Sequence, residues 1–387
     1  MPTVSYSHGV RALNGAVSPA WVNSDGDQKF GLIPATDTAN CAAVFDTAGD
    51  PYPVFNAFTG LAFDSDNWIV YAVGNGGHTD DNGQSVYRWR LNLASVACDR
   101  VVTRTAASDP PNTQNGTLAR GDGTRTADHG YSTHTYAAGK VWLPWGAAFA
   151  SASGQNSTEA WYWDPSNPGS ATLGYTNLGK SDAAYDFSGG GFYETGAGYD
   201  PTDRKVWTIA QEWSGTANAL KSYSVDSPYT LTNYSGMAGT GSIPFKFLIH
   251  PGRRVAILLG QLGLLRMDLT SPGTLTSCTE SGTPFRTKTG GAVLDPTANG
   301  GLGAVYCWDT GTTMSRLLLP SSLSGTYAWD TVTIAGTAPT AASSGTWGKM
   351  GLITMPGGEK IIIIGGGSGV PFADRLTRIR VPANGFT

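Results

Sequence analysis

MPGGEKIIIIGGGSGVPFADRLTRIRVP, Met355 to Pro382, opens on a turn and runs into four consecutive isoleucines, Ile361 to Ile364. A glycine cluster (Gly365 to Gly367), a polar loop and a second segment carrying Leu376, Ile379 and Val381 follow. Four β-branched residues bounded by glycine are too few for a helix. They predict a short strand buried on both faces.

Weaker copies of this phrase lie upstream. FDSDNWIVYAVGNGGHTDDNGQSVYRWRLNL (Phe63 to Leu93) repeats turn, strand, Gly76-Gly77, loop and strand, and Tyr199 to Pro228 repeats the outline. Six apolar strands begin near residues 68, 141, 206, 255, 304 and 361, at intervals of 73, 65, 49, 49 and 57. The last three intervals match the period of about 40 to 50 residues of propeller blades, and the first two carry loop insertions. Before each strand stands a turn, among them DSDN (64–67), DPTD (200–203), HPGR (250–253) and PGGE (356–359). Such clusters are hairpin punctuation because Pro and Gly fix or free φ.

After each anchor comes a further strand, for example EAWYWDP or GLLRMDLT, and in most copies a fourth such as YAWDTVTI (327–334). Four strands per unit predict an all-β propeller of four-stranded antiparallel blades, six favoured over seven. Trp89, Trp163, Trp207, Trp308 and Trp329 are expected to fill the spaces between blades. The sixth unit ends after its third strand, leaving an edge with unpaired N–H and C=O groups. A segment within Val4 to Val22 is expected to close it, with Asp25 to Pro53 as the candidate seventh blade. The expectation is one domain over residues 1–387: closing strand and extension in 1–57, blades in 58–387.

The strand ending in Gly-Gly (Gly76-Gly77, Gly365-Gly366), the loop, and the Tyr/Trp strand after it resemble the kelch or galactose-oxidase-type repeat. Read with HGYSTHTYAAGKVWLPWG, the stretch GNGGHTDDNGQSVYRWRL also resembles kelch-like proteins of tailed bacteriophages.

Composition agrees with a packed β-protein: 52 glycines, 11% aromatic and only 14% charged residues, against a usual quarter charged. Net charge is −4 without a Lys/Arg run, which argues against nucleic acid. The densest basic spot, Arg375, Arg378 and Arg380, reads as a solvated strand face. MPTVSYSHGVRALNG has no cationic start followed by an apolar segment, so no secretory signal is expected, and no membrane-spanning run is present. Cys41, Cys98, Cys278 and Cys307 lack metal-site spacing and read as small buried hydrophobes, with one disulfide as runner-up.

Function is expected on the face where strand two meets strand three and one blade meets the next. The long loops there belong to the first three blades. They carry the candidate binding residues His78, Asp80, Asp81, Asp128, His129, His134, Trp145, Tyr193, Glu212 and Trp213. Imidazole with carboxylate suits a transition metal, while the plainer reading bonds each histidine to a neighbouring blade's backbone. His250, before a Pro-Gly turn, reads as structural. No G-x-S-x-G, P-loop or H-E-x-x-H motif occurs; no catalytic residue, metal or cofactor is assigned.

The main expectation is therefore a non-enzymatic binding or structural propeller. The phage resemblance implies a virion component, tail-associated receptor-binding or capsid decoration, made in the host cytoplasm. Its partners would be other virion proteins or a host-surface glycan or protein, without nucleic acid or membrane insertion. The alternative is a glycan-active or metal-dependent, galactose-oxidase-like enzyme using the His/Asp loop cluster. An intracellular interaction scaffold ranks third.

Overall fold

Side chains of successive strand residues point to opposite faces, so a buried strand feeds two cores at once. The isoleucine run does this: Ile361 and Ile363 pack in one cluster, Ile362 and Ile364 in another. The computed structural model describes residues 30–32, 60–74, 86–91, 96–102, 130, 132–144, 146–148, 155–157, 159–180, 192–212, 218–234, 244–335, 338–339, 341–342, 345–355, 357–366 and 375–382.

The first strand is β1 (Phe30–Leu32). Blade 1 comprises β2 (Ala62–Asp64), β3 (Ile69–Ala72), β4 (Val86–Leu91) and β5 (Val96–Val102). Blade 2 has β6 (Thr135–Ala137) and β7 (Lys140–Leu143), then a hairpin of β8 (Gly146–Ala148) and β9 (Gln155–Ser157), then β10 (Glu159–Trp163) and β11 (Tyr175–Lys180). Blade 3 is β12 (Phe192–Asp200), β13 (Lys205–Glu212), β14 (Asn218–Ser224) and β15 (Leu231–Tyr234). Blade 4 is β16 (Pro244–His250), β17 (Val255–Gly260), β18 (Leu264–Asp268) and β19 (Thr276–Ser277), followed by β20 (Thr279–Ser281). Blade 5 is β21 (Gly291–Asp295), β22 (Ala304–Trp308), β23 (Thr313–Leu318) and β24 (Thr326–Ala335). Blade 6 is β25 (Met350–Thr354), β26 (Lys360–Gly366) and β27 (Arg375–Val381), with β1 as its fourth strand. The fold is a six-bladed propeller of antiparallel four-stranded sheets.

The anchor strands expected from the sequence are the second strand of every blade. Six apolar clusters fill the six junctions between neighbouring blades, including the one joining blade 6 to blade 1. Trp89, Trp163, Trp207, Trp308 and Trp329 each occupy a different junction, and Trp142 serves the sixth.

Two expectations change. Closure falls to Phe30–Leu32, within the stretch considered as a seventh blade and beyond Val4 to Val22. Gly31 and Leu32 pair antiparallel with Arg380 and Ile379, while Phe30 and Gly31 run parallel to Ile334 and Ala335 of β24. One three-residue strand thus gives backbone partners to two edges, that of β27 and the end of β24. At two of its three residues the basic spot is also not a solvated face: Arg378 is buried, and Arg380 pairs with Glu359 at 3.4 Å. Arg378 stands opposite Ile363, a core residue. Cys307 is buried and Cys278 half-buried, neither in a disulfide; Cys41 lies outside the described residues.

Candidate functional site

The inner strands β2, β6, β12, β16, β21 and β25 surround an axial cavity of about 330 Å³. Ser132, His134, Tyr199, Lys246 and Trp347 supply polar groups to its wall, which is otherwise mostly aliphatic. Among the described lining residues Lys246 carries the one formal charge.

Ser132 lies just before β6, on a turn that several bonds hold. Thr133 donates to the Gly130 carbonyl from its backbone N–H (2.8 Å) and from its hydroxyl (2.7 Å). Next, Ala197 N–H donates to the Ser132 carbonyl at 3.0 Å, and Ser132 bridges Gly196 in parallel sense. His134, 7% exposed, sets Nδ1 2.8 Å from the Gly60 carbonyl at the entry to blade 1. Its ring lies where a Cβ on Gly130 would stand, so a glycine is required at the start of the turn.

Lys246 reaches the same point from blade 4. A strand with one charge in an apolar run, PFKFLIH (244–250), would ordinarily turn that charge to water. Here the ladder slips between Pro244 and Lys246, and a matching slip separates Tyr193 from Gly196 on the neighbouring inner strand. Bulges of this kind re-aim side chains and concentrate near functional sites. Gly196 completes the geometry, because a Cβ there would sit 2.7 Å from the Phe247 backbone nitrogen. With the strands this close, Lys246 Nζ, only 2% exposed as a residue, donates to Ser132 Oγ at 2.6 Å. The same Nζ stands 5.7 Å from the centroid of Trp347, a cation–π distance. Trp347 takes φ +43°, a left-handed backbone rare for a bulky side chain, and is fixed by its N–H bond to Thr289 (2.9 Å). Strained backbone of this sort clusters at ligand sites.

Of the expected binding residues, His78, Asp80, Asp81, Asp128, His129, Trp145 and Trp213 lie outside the described residues. Tyr193 and Glu212 are placed by backbone only, on β12 and β13 at the end of blade 3 away from the Asp200 turn. His134 has its side chain described, and it bonds the neighbouring blade's backbone, the plainer of its two expected roles. Among the described residues no group of three or more His, Cys, Asp or Glu could hold a metal ion. Reasoning from motifs missed Ser132, Lys246 and Trp347, since nothing in their spacing marks them. The available signal was the lone lysine of PFKFLIH.

No family model and no curated protein matches the chain. Solved structures similar to it include a protein from Lactobacillus plantarum, at 13% identity and TM-score 0.41, covering 83% of this chain and 87% of that one. The Pseudomonas aeruginosa periplasmic gluconolactonase is 12% identical with TM-score 0.42, covering 84% and 86%. A structure from Bacteroides uniformis, assigned provisionally as a 6-phosphogluconolactonase, is 12% identical with TM-score 0.41, covering 82% of each chain. Likeness at this level concerns the propeller fold and not its activity. The expected phage virion component is corrected on the same finding: two of these three structures carry gluconolactonase names, and none of the three is a kelch or virion protein.

Proposed function

We propose that the chain is a hydrolase acting in the axial cavity on the carbonyl of an ester or lactone, with Ser132 as nucleophile and Lys246 as its proton acceptor. The carrying observation is the 2.6 Å contact between Ser132 Oγ and Lys246 Nζ on the cavity wall. A serine hydroxyl is a weak nucleophile until an adjacent base takes its proton, and a lysine amine within hydrogen-bond reach serves that role.

In its neutral form the Lys246 amine accepts the Ser132 proton as Oγ bonds the carbonyl carbon. Collapse of the tetrahedral intermediate breaks the bond to the leaving oxygen, which takes the proton back from the Lys246 ammonium. Water then attacks the acyl-serine, giving its proton to Lys246, and Ser132 Oγ leaves with that proton. Atoms and charge balance without a metal or cofactor. The turn at Gly130 to Thr133 and the bridge to Gly196 hold Oγ in place, and the Trp347 ring, 5.7 Å from Nζ, favours the ammonium that forms when Ser132 gives up its proton.

Purified protein is tested with p-nitrophenyl acetate and δ-valerolactone. Turnover that rises with pH, an acetyl group found by mass spectrometry on the peptide holding Ser132, and loss of both in Ser132→Ala and Lys246→Met are expected. Turnover that survives Ser132→Ala, or none by the native protein, overturns the reading.

A further inference from the structure

At the junction of blades 2 and 3, Lys140 Nζ at the start of β7 donates to the phenol oxygen of Tyr229 at 2.9 Å. Tyr229 stands in the turn between β14 and β15, with φ +58° and its N–H bonded to the Asp226 carbonyl at 2.7 Å. A second donor reaches the same oxygen: the Tyr162 hydroxyl of β10, which itself accepts from Thr176 of β11. The ammonium also lies 4.3 Å from the centroid of the Tyr162 ring and 5.0 Å from that of Tyr229, and the two rings stand 5.4 Å apart.

A phenol oxygen that receives a cation and a hydroxyl together is held as an acceptor, which favours its deprotonated form. Lys140 first, then Tyr162, accordingly lower the Tyr229 pKa below the ordinary 10.0, against the opposing effects of burial and of Asp164. Tyr199, packed in the same junction, goes the other way, chiefly through burial. Burial alone would lower Lys140, but the Tyr229 bond and the adjacent phenols outweigh it, so the amine stays protonated and is not the nucleophile of the pair. Tyr229 is half-buried between exposed neighbours, residues 226–228 and Thr230, so a small reagent reaches it.

We infer that Tyr229 is an acylation site, whose phenol oxygen accepts the acyl group of an activated acyl donor. The phenol loses its proton to solvent and the phenolate oxygen bonds the carbonyl carbon. Collapse of the adduct breaks the bond to the leaving group, which departs with its electron pair and takes a proton from solvent, and the tyrosyl ester remains. Lowering a pKa reduces intrinsic nucleophilicity by less than it raises the ionised fraction, as long as the pH stays below that pKa. Lys140, Tyr162 and Tyr229 do not line the axial cavity, so the inference does not rest on the hydrolase reading.

The experiment adds N-acetylimidazole to the full native chain at pH 8 and follows acetylation of each tyrosine by mass spectrometry, with fragmentation to locate the group. Tyr229 is expected to react at least tenfold faster than Tyr199, one pKa unit being a factor of about ten in phenolate. Hydroxylamine should remove the group, as it does from a tyrosyl ester. Lys140→Met is expected to bring Tyr229 down to the rate of Tyr199, and Tyr162→Phe to slow it as well. Ultraviolet titration gives a readout that packing alone would not move: the difference between native and Tyr229→Phe protein should show one phenol ionising below pH 10.0. Three results each overturn the inference: Tyr229 reacting no faster than Tyr199, a folded Lys140→Met protein that labels Tyr229 at the native rate, or a hydroxylamine-resistant acetyl group on Lys140 in place of Tyr229.

Discussion

The carboxylate of Asp200, at the end of β12 and wholly buried, accepts a hydrogen bond of 2.5 Å from Nη1 of Arg254, which precedes β17 on the next blade. Its other oxygen accepts from the Thr202 N–H at 3.0 Å, closing the turn of its own blade. Two blades on, Asp295 repeats the device: it accepts from the Thr297 N–H at 3.0 Å and from Lys360 Nζ of blade 6 at 2.6 Å. Asp64 caps its turn through Asn67 N–H at 3.1 Å. The aspartates that punctuate the sequence therefore tie each hairpin internally and, at two places, one blade to the next.

Arg254→Met leaves the Asp200 carboxylate buried without its cation. Removing one member of a buried pair is the costly change, whereas removing both charges is far milder. Arg254 is partly solvated, so the loss is discounted to on the order of 2 kcal/mol. Asp200→Asn keeps a turn acceptor for Thr202, and the double variant Asp200→Asn/Arg254→Met is expected to be more stable than Arg254→Met alone. Urea unfolding of the variants measures the difference; equal midpoints for the single and double variants would refute the pairing.

His250 gives the fold an acid sensitivity of its own. Burial, and then the neighbouring Arg253 guanidinium, depress its pKa below the ordinary value of 6.5. Its Nδ1 accepts from the Arg253 N–H at 3.3 Å, a bond that only the unprotonated nitrogen can take. The unfolded chain then binds the proton more readily than the folded one, so stability is full above about pH 6.5 and declines as pH falls through the depressed folded value. His250→Asn retains a cap acceptor without the titration. Between pH 7 and pH 5 the melting temperature of the native protein is expected to fall more than that of His250→Asn.

Cys278 should be sluggish toward thiol reagents. Burial pushes its thiol up to about 11, against an ordinary 9.0. The thiolate is the nucleophile, and at pH 8 a shift of this size lowers its fraction about a hundredfold. Labelling by an aromatic disulfide reagent at pH 8, followed on the Cys278 peptide, is expected to be slow in the native protein and fast in urea. Native labelling as fast as in urea would show the thiol to be exposed.

The blade count was legible because its cause is local. Ile361 to Ile364 is a buried strand whatever surrounds it, and period-two alternation alone sends Ile361 and Ile363 to one junction and Ile362 and Ile364 to the other. The turns were legible for the same reason, since Asp-Pro and Pro-Gly act on their own φ and on the next N–H. The closing strand was not, because Phe30 to Leu32 is chosen by two edges, Ile379 to Arg380 and Ile334 to Ala335, far along the chain. Ser132 and Lys246 stand 114 residues apart and meet only through two ladder slips. A pair assembled by register has no spacing to read.

Gly196 tests that assembly directly. A methyl group there would lie 2.7 Å from the Phe247 nitrogen and 3.1 Å from the Lys246 carbonyl carbon, both backbone atoms that cannot swing away. Gly196→Ala must therefore push β12 and β16 apart, at a cost of about 1–3 kcal/mol for overpacking, and draw Lys246 Nζ away from Ser132 Oγ. Gly263 is the control: nothing lies within 4 Å of its Cβ position. Gly263→Ala is expected to be neutral or stabilising by up to about 1 kcal/mol, through the unfolded chain. Thermal unfolding should separate the two, and ester turnover should fall at least tenfold in Gly196→Ala while Gly263→Ala keeps it. If Gly196→Ala melts early but turns over ester at the native rate, the close strand approach serves stability alone and not the placement of Lys246.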